Sequence, residues 1–140
     1  MIVRGKKTIC ATWFEAVAQG ETAAANMLLD MPRPTFGALK MNVMETMGIA
    51  VASIGLTEPP DASARVFASS RDGSYRKLIV SGDRIVGAVL VGGDVSEAGT
   101  IATLIRRRRK LSEFKRLDLA RPIRYAELAV QWGREQPTRA

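Results

Sequence analysis

The chain has 140 residues, 25% of them charged, with one cysteine, no histidine and a formal net charge of +7. That length suffices for one domain with a real core. A lone thiol excludes an internal disulfide framework, and a thiol without imidazole excludes a zinc site or a Cys/His nucleophile pair built within one chain. No apolar run approaches the ~20 residues of a membrane span. "MIVRGKKTICATWF" has basic residues but no apolar h-region behind them, so it does not read as a secretory signal and a cytoplasmic setting is expected.

The charge is uneven. Residues 1–103 hold ten Lys/Arg against ten Asp/Glu, whereas residues 104–140 hold eleven against four, which is the whole excess. No phosphate loop of the GxGxxG or GxxxxGK[ST] kind is present.

In chain order, Thr12 to about Leu29 reads as a helix. Thr12 and Glu15 have the T-x-x-E spacing of a capping box. Trp13, Val17, Ala24 and Leu28 recur at helical spacing with Gly20 in the stripe, while Ala16, Ala18, Ala23 and Ala25 keep the helix thin. A glycine in a helix interior costs ~1 kcal/mol relative to alanine, so Gly20 suggests a contact without room for a methyl. "DMPRP" from Asp30 stops the helix.

Residues 35–48 are ambiguous. Ile49–Thr57 reads as a strand, Ala64–Ser69 as a weaker one, and Ser74–Val80 and Arg84–Val91 as two stronger ones joined by the short hairpin loop "SGD". In the first of these, Arg76, Leu78 and Val80 alternate with Tyr75, Lys77 and Ile79, and one set must be covered. A second helix follows in "GGDVSEAGTIATLIRRRRK", with Asp94 as the expected N-cap, Glu97 three residues later, and a cationic last turn that suits the helix dipole. Tyr125–Glu135 reads as a short terminal helix after the extended "DLARP". Strands in series imply an α+β fold, an antiparallel sheet of three to four strands packed with helices.

Several stretches carry more than one reading. "VLVGGDVSEAG" is either an anion-binding strand-to-helix turn or a plain bend with Asp94 capping the helix. Arg106–Lys110 is a nucleic-acid patch, a contact for an acidic partner, or a solvated helix end; five consecutive cations wrap every side of a helix, and the nearest aromatic, Phe114, lies beyond "KLSE". Cys10, near Lys6 and Lys7, is a reactive thiol or a small packed residue. Trp13 and Phe14 at the first helix's tip either anchor into the sheet or wall a flat ring, beside free N–H donors and the positive dipole end.

Three segments taken together, "ATWFEAVAQGETAAANML", "MNVMETMGIAVASIGL" and "YRKLIVSGDRIVGAVLVGGDVSEAGTIATLI", resemble the C-terminal part of FAD-dependent pyridine nucleotide-disulfide oxidoreductases. The branch is that of NADH:rubredoxin reductases and the flavin module of NADH nitrite reductase. The pattern W-x-x-A-x-x-Q-G is met by Trp13, Ala16, Gln19 and Gly20, and Y-R-K-L is followed by G-x-x-L-V-G. The resemblance covers roughly residues 8–106. It implies that the first helix closes an FAD-binding domain, with backbone groups around Thr12, Trp13 and Phe14 as flavin contacts, and that residues 32–117 form the reductase's small α+β C-terminal domain, a domain often used for dimer contacts. Residues 1–31 are then the terminal helix segment of the FAD-binding domain and residues 118–140 an extension.

The implied function is that of a flavin-flanking interface domain, with no catalytic or metal-binding residue of its own. Its implied partners are FAD- and NAD-binding domains, an electron-acceptor protein and a second copy of the chain. The chain departs from the family in lacking GxGxxG, a Gly-Asp before Thr12 and the His-Glu pair of dithiol reductases. It therefore reads as a piece beginning partway through an enzyme, expected to bind FAD weakly or not at all and to show no turnover alone. The alternative is a small basic module that binds nucleic acid or an acidic partner through Arg106–Lys110.

Overall fold

The computed structural model describes residues 2–3, 6–7, 12–28, 39–114, 117–126 and 128. Two short strands, β1 (Ile2–Val3) and β2 (Lys6–Lys7), pair antiparallel. Helix α1 runs Trp13–Leu28. Then come β3 (Met41–Thr46), β4 (Ile49–Gly55), β5 (Arg65–Arg71), β6 (Ser74–Ser81) and β7 (Arg84–Val91), a 3-10 turn over Gly92–Glu97, helix α2 (Ala98–Arg106) and a second 3-10 turn at Leu111–Glu113. The architecture is α+β. Its main sheet has five antiparallel strands in the order β3-β4-β7-β6-β5, one more than the upper count expected.

The additional strand is β3, drawn from the ambiguous segment. It is an edge strand whose residues from Asn42 onward are all exposed, so "MNVMET" carries no alternation of the kind that marks a half-buried strand. What commits it is the turn. Met47 and Gly48 both adopt positive φ, 51° and 74°, the backbone of a two-residue type I′ hairpin. Asp72 and Gly73 do the same between β5 and β6, at 48° and 74°. Gly82, at φ 58°, takes the first central place in the expected "SGD" loop.

One face of the sheet carries the core. Ala52, Ile54, Leu78, Val80, Ile85, Ala88 and Leu90 point to it and pack against Ala98, Ile101, Ala102 and Leu104 of α2. Phe114, Ile123 and Leu128 are buried in the same cluster, so the chain beyond α2 also covers this face. Each fully buried Leu, Ile or Val contributes roughly 1.5–3 kcal/mol.

The strand order forces a crossing. β4 lies next to one edge and β5 forms the other, so residues 56–64 must pass over β7 and β6. They do so on the face opposite α2. The Leu56 N–H donates to the Val86 carbonyl at 3.0 Å, and Glu58 pairs with Lys77 at 3.0 Å. Gly55 and Gly87 sit opposite one another in the ladder beneath the crossing. A Cβ on Gly87 would overlap the Leu56 carbonyl oxygen, far closer than van der Waals contact. At the other end of this face Met44, Val51, Val91 and Tyr75 form a row across four strands and stay partly exposed.

The second helix begins later than its sequence suggests. Gly92–Glu97 is a 3-10 turn, and α2 starts at Ala98 with Glu97 at the cap position but no side-chain cap bond. The Glu97 carboxylate is engaged elsewhere. Tyr125, Ala126 and Leu128 have helical backbone; the rest of the expected terminal helix, like Cys10 and "DMPRP", lies outside the described residues. No described helix is long and apolar enough to cross a membrane.

Candidate functional site

The α1 tip is the first place to look. The Ala16 N–H reaches the Thr12 carbonyl at 3.0 Å, which closes the first helical turn. The amides of Trp13, Phe14 and Glu15 precede that bond and have no intrahelical acceptor. The capping box does not form: the Thr12 hydroxyl and both Glu15 carboxylate oxygens are buried and have no hydrogen-bond partner among the described residues. Glu15 is fully buried rather than reaching back around the tip.

Trp13, by contrast, is 78% exposed, so it does not anchor α1 into the sheet. Phe14 has a described backbone only. Val17, Met27 and Leu28 are exposed as well, the last two at 85% and 88%. Gly20 has open space around the place a Cβ would take, so no close contact among the described residues accounts for it.

The Gly-Gly-Asp turn is a bend. Gly92 has φ 73°, and the Gly93 N–H donates to the Ser74 hydroxyl at 3.1 Å rather than standing free for an anion. A Cβ on Gly92 would press on the Ser74 hydroxyl and the Gly73 carbonyl.

The most elaborate polar cluster is one that pattern reading alone did not identify. Arg76 belongs to the same strand face as Leu78 and Val80 and is 2% exposed; Glu97 is 3% exposed. The Arg76 Nε donates to Glu97 Oε1 and its Nη2 to Oε2 at 3.2 Å, a two-pronged pair. Arg76 Nη1 donates to the Leu119 carbonyl at 2.6 Å, and the Ile123 N–H donates to Glu97 Oε2 at 2.6 Å. One buried ion pair thus ties β6, the entry to α2 and residues 119–123 together. The signal was in the alternation: a cation at a position of period two with Leu78 and Val80 requires a buried partner.

The basic run is not wrapped around a helix. α2 ends at Arg106, and the next residues turn back. Arg109 pairs with Glu113 at 2.6 Å and lies over the Phe114 ring, 5.9 Å from its centroid. Arg84 Nε donates to the Arg108 carbonyl at 2.9 Å. The Ser112 hydroxyl, then its N–H, and the charges of Lys110 and Arg84 hold the Asp83 carboxyl below the usual carboxylate range. Among the described residues no three His, Cys, Asp or Glu side chains converge to hold a metal.

Residues 41–109 match the family model of the Rubredoxin NAD+ reductase C-terminal domain. The chain is 28% identical over 106 residues to the nitrite reductase (NAD(P)H) of Bacillus subtilis (strain 168), a match covering 75% of this chain and 13% of that enzyme. Among solved structures it is similar to a NAD-dependent persulfide reductase from A. fulgidus, with a TM-score of 0.61 and 25% identity over 84% of this chain and 25% of that one. The chain therefore corresponds to a small part of each relative. The matched span runs from the first residue of β3 to the turn after α2, so it contains the whole five-stranded sheet and the helix packed on it. Residues 41–109 are thus similar to a rubredoxin NAD+ reductase C-terminal domain, and the three likenesses together support a C-terminal region of a pyridine nucleotide-disulfide oxidoreductase.

Proposed function

We propose that this chain is the C-terminal, flavin-flanking part of an FAD-dependent NAD(P)H:acceptor oxidoreductase and works against FAD- and NAD(P)-binding domains. The observation that carries this reading is the exposure of α1: Trp13, Met27 and Leu28 are 78%, 85% and 88% exposed. Large apolar side chains left open along one helix mark a surface made for a partner. In this reading residues 1–31 complete the FAD-binding domain. Residues 32–117 form the α+β domain, and residues 118–140 extend it, with Ile123 and Leu128 seated in its core.

The residues at the α1 tip suit the pyrimidine end of an isoalloxazine. First-turn amides without an intrahelical acceptor and the positive dipole end favour a carbonyl oxygen that gains negative charge on reduction. The exposed Trp13 ring offers a flat wall beside it. Bound FAD would accept hydride from NAD(P)H and pass electrons to an acceptor. This chain's own part is to orient the ring, exclude water from one side and favour the charge of the reduced state. Thr12, Trp13 and Phe14 are the proposed contacts. An electron-acceptor protein, a second copy of the chain and a cytoplasmic setting belong to the same proposal.

The test assembles the chain with the FAD- and NAD(P)-binding domains of a related reductase and measures flavin retention and reduction potential. Replacing both Trp13 and Phe14 with Ala is expected to weaken retention by about tenfold or more, as loss of two aromatic contacts implies. Unchanged retention and an unchanged potential would remove these residues from the flavin site.

Gly20→Ala separates the helix from its partner. With open space at Gly20 in this chain, the substitution is expected to stabilise the chain alone by up to ~1 kcal/mol, read as a higher urea midpoint. In the assembly the same methyl is expected to lower the affinity for the FAD-binding domain. A gain in both settings would show that Gly20 faces no close contact in either.

A further inference from the structure

The cations that follow α2 are held on a built corner. The Arg108 N–H donates to the Ile105 carbonyl at 3.1 Å and the Arg109 N–H to the Leu104 carbonyl at 3.1 Å, the paired bonds of a Schellman turn. Arg108 occupies the left-handed position of that turn, at φ 51°, where glycine is the usual residue. The turn is then tied to the β6–β7 hairpin. Arg84 bonds the Arg108 carbonyl, the Leu111 N–H donates to the Asp83 carbonyl at 2.8 Å, and Ser112 bonds the Asp83 carboxylate through its N–H at 3.1 Å and through its hydroxyl. Arg109 folds inward onto Glu113 and Phe114. Arg84, Arg106, Arg108 and Lys110 remain exposed on this fixed backbone, the last three within the stretch that carries the charge excess.

We infer that this corner docks an acidic protein surface. A cation kept where glycine would cost less indicates that the side chain at position 108 has a use. Cations on a fixed backbone need no reordering of the main chain when they meet carboxylates, and they steer an oppositely charged partner from a distance. The pattern suits a folded acidic protein better than a phosphate backbone. Asp83, held by Ser112, makes this corner a patch of mixed charge, which suits a protein surface of mixed charge better than an unbroken run of phosphates. Phe114, the neighbouring aromatic, is buried and offers no platform for stacked bases. The inference does not depend on the flavin-facing reading of α1.

The experiment uses the full chain, with poly-L-glutamate and a duplex DNA oligomer as probes, followed by fluorescence anisotropy at two salt concentrations. Arg106→Glu with Arg108→Glu is expected to weaken poly-L-glutamate binding by about tenfold or more. The control pair Arg65→Glu with Arg71→Glu makes the same change in net charge on exposed strand positions and is expected to cost less than about threefold. Arg108→Gly preserves the turn and removes only the side chain; it is expected to weaken binding by about threefold while leaving the melting temperature unchanged or higher. Equal losses in the two pairs would reduce the effect to bulk charge and overturn the inference. Tighter binding of the duplex than of poly-L-glutamate at the same salt would overturn it in favour of nucleic acid.

Discussion

Arg76→Ala is expected to lower the stability of the domain by about 3–5 kcal/mol, the range for removing one partner of a buried ion pair. The variant leaves the Glu97 carboxylate without either prong of the guanidinium, in surroundings where Glu97 is 3% exposed. It also strips the Leu119 carbonyl of its donor. Against a typical stability of ~5–15 kcal/mol this is a large fraction, and urea unfolding followed by circular dichroism measures it directly. Arg76→Lys keeps the charge but has no planar fork, so it is expected to recover only part of the loss.

The double variant Arg76→Met with Glu97→Leu is the discriminating control. Its cost is expected to fall short of the sum of the two single costs, because no uncompensated charge is then buried. Hydrogen exchange adds a spatial readout: protection should be lost first at residues 119–123, which the pair holds through the Leu119 carbonyl and the Ile123 N–H. A cost below ~1 kcal/mol for Arg76→Ala would show that these residues are held by packing of Phe114, Ile123 and Leu128 alone.

How much of this was legible beforehand depends on whether a position's neighbours are local. α1 is readable because its spacing repeats within a few residues, and the hairpin at Gly82 because a turn needs only its own backbone. β3 was ambiguous because an edge strand open on both sides has no burial period to read, so only the positive-φ pair Met47–Gly48 marks it. The start of α2 was misplaced for a different reason. Asp94 and Glu97 have good local capping chemistry, but Arg76 on a distant strand and the Ile123 amide compete for the Glu97 carboxylate and win. The basic run reads as the last turn of that helix, with cations on every side, because nothing local announces a left-handed arginine; Arg84 and Asp83, more than twenty residues earlier, fix that turn. At the α1 tip the helix and its aromatic pair were visible in the sequence, whereas the burial of Glu15 was not, since burial is a property of what packs around it.

Gly87→Ala is the second large effect, with an expected cost of about 3 kcal/mol. Gly87 and Gly55 face each other across β4 and β7, and the chain leaves β4 by rising over that point to reach the far edge of the sheet. The added methyl would collide with the Leu56 carbonyl, carbon and nitrogen. All three are backbone atoms, so no rotamer change relieves the contact, and the hydrogen bond from Leu56 to the Val86 carbonyl must stretch or break. Overpacking against backbone belongs at the upper end of the usual 1–3 kcal/mol.

Gly48→Ala is the matched control. Gly48 has φ 74° but open space around it, so only the left-handed backbone penalty of ~1 kcal/mol applies. The difference between the two alanine variants therefore isolates the crossing from generic glycine loss. A further readout locates the damage. Ile79 is fully buried although it lies on the strand face away from α2, and its ladder partner is Gly87. If residues 56–64 are what shelter it, the Gly87→Ala protein should lose hydrogen-exchange protection across β6 and β7 at that end while the α2-facing core stays protected. Equal costs for Gly48→Ala and Gly87→Ala, or unchanged protection at Ile79, would mean that the crossing segment moves aside freely and that something else covers this side chain.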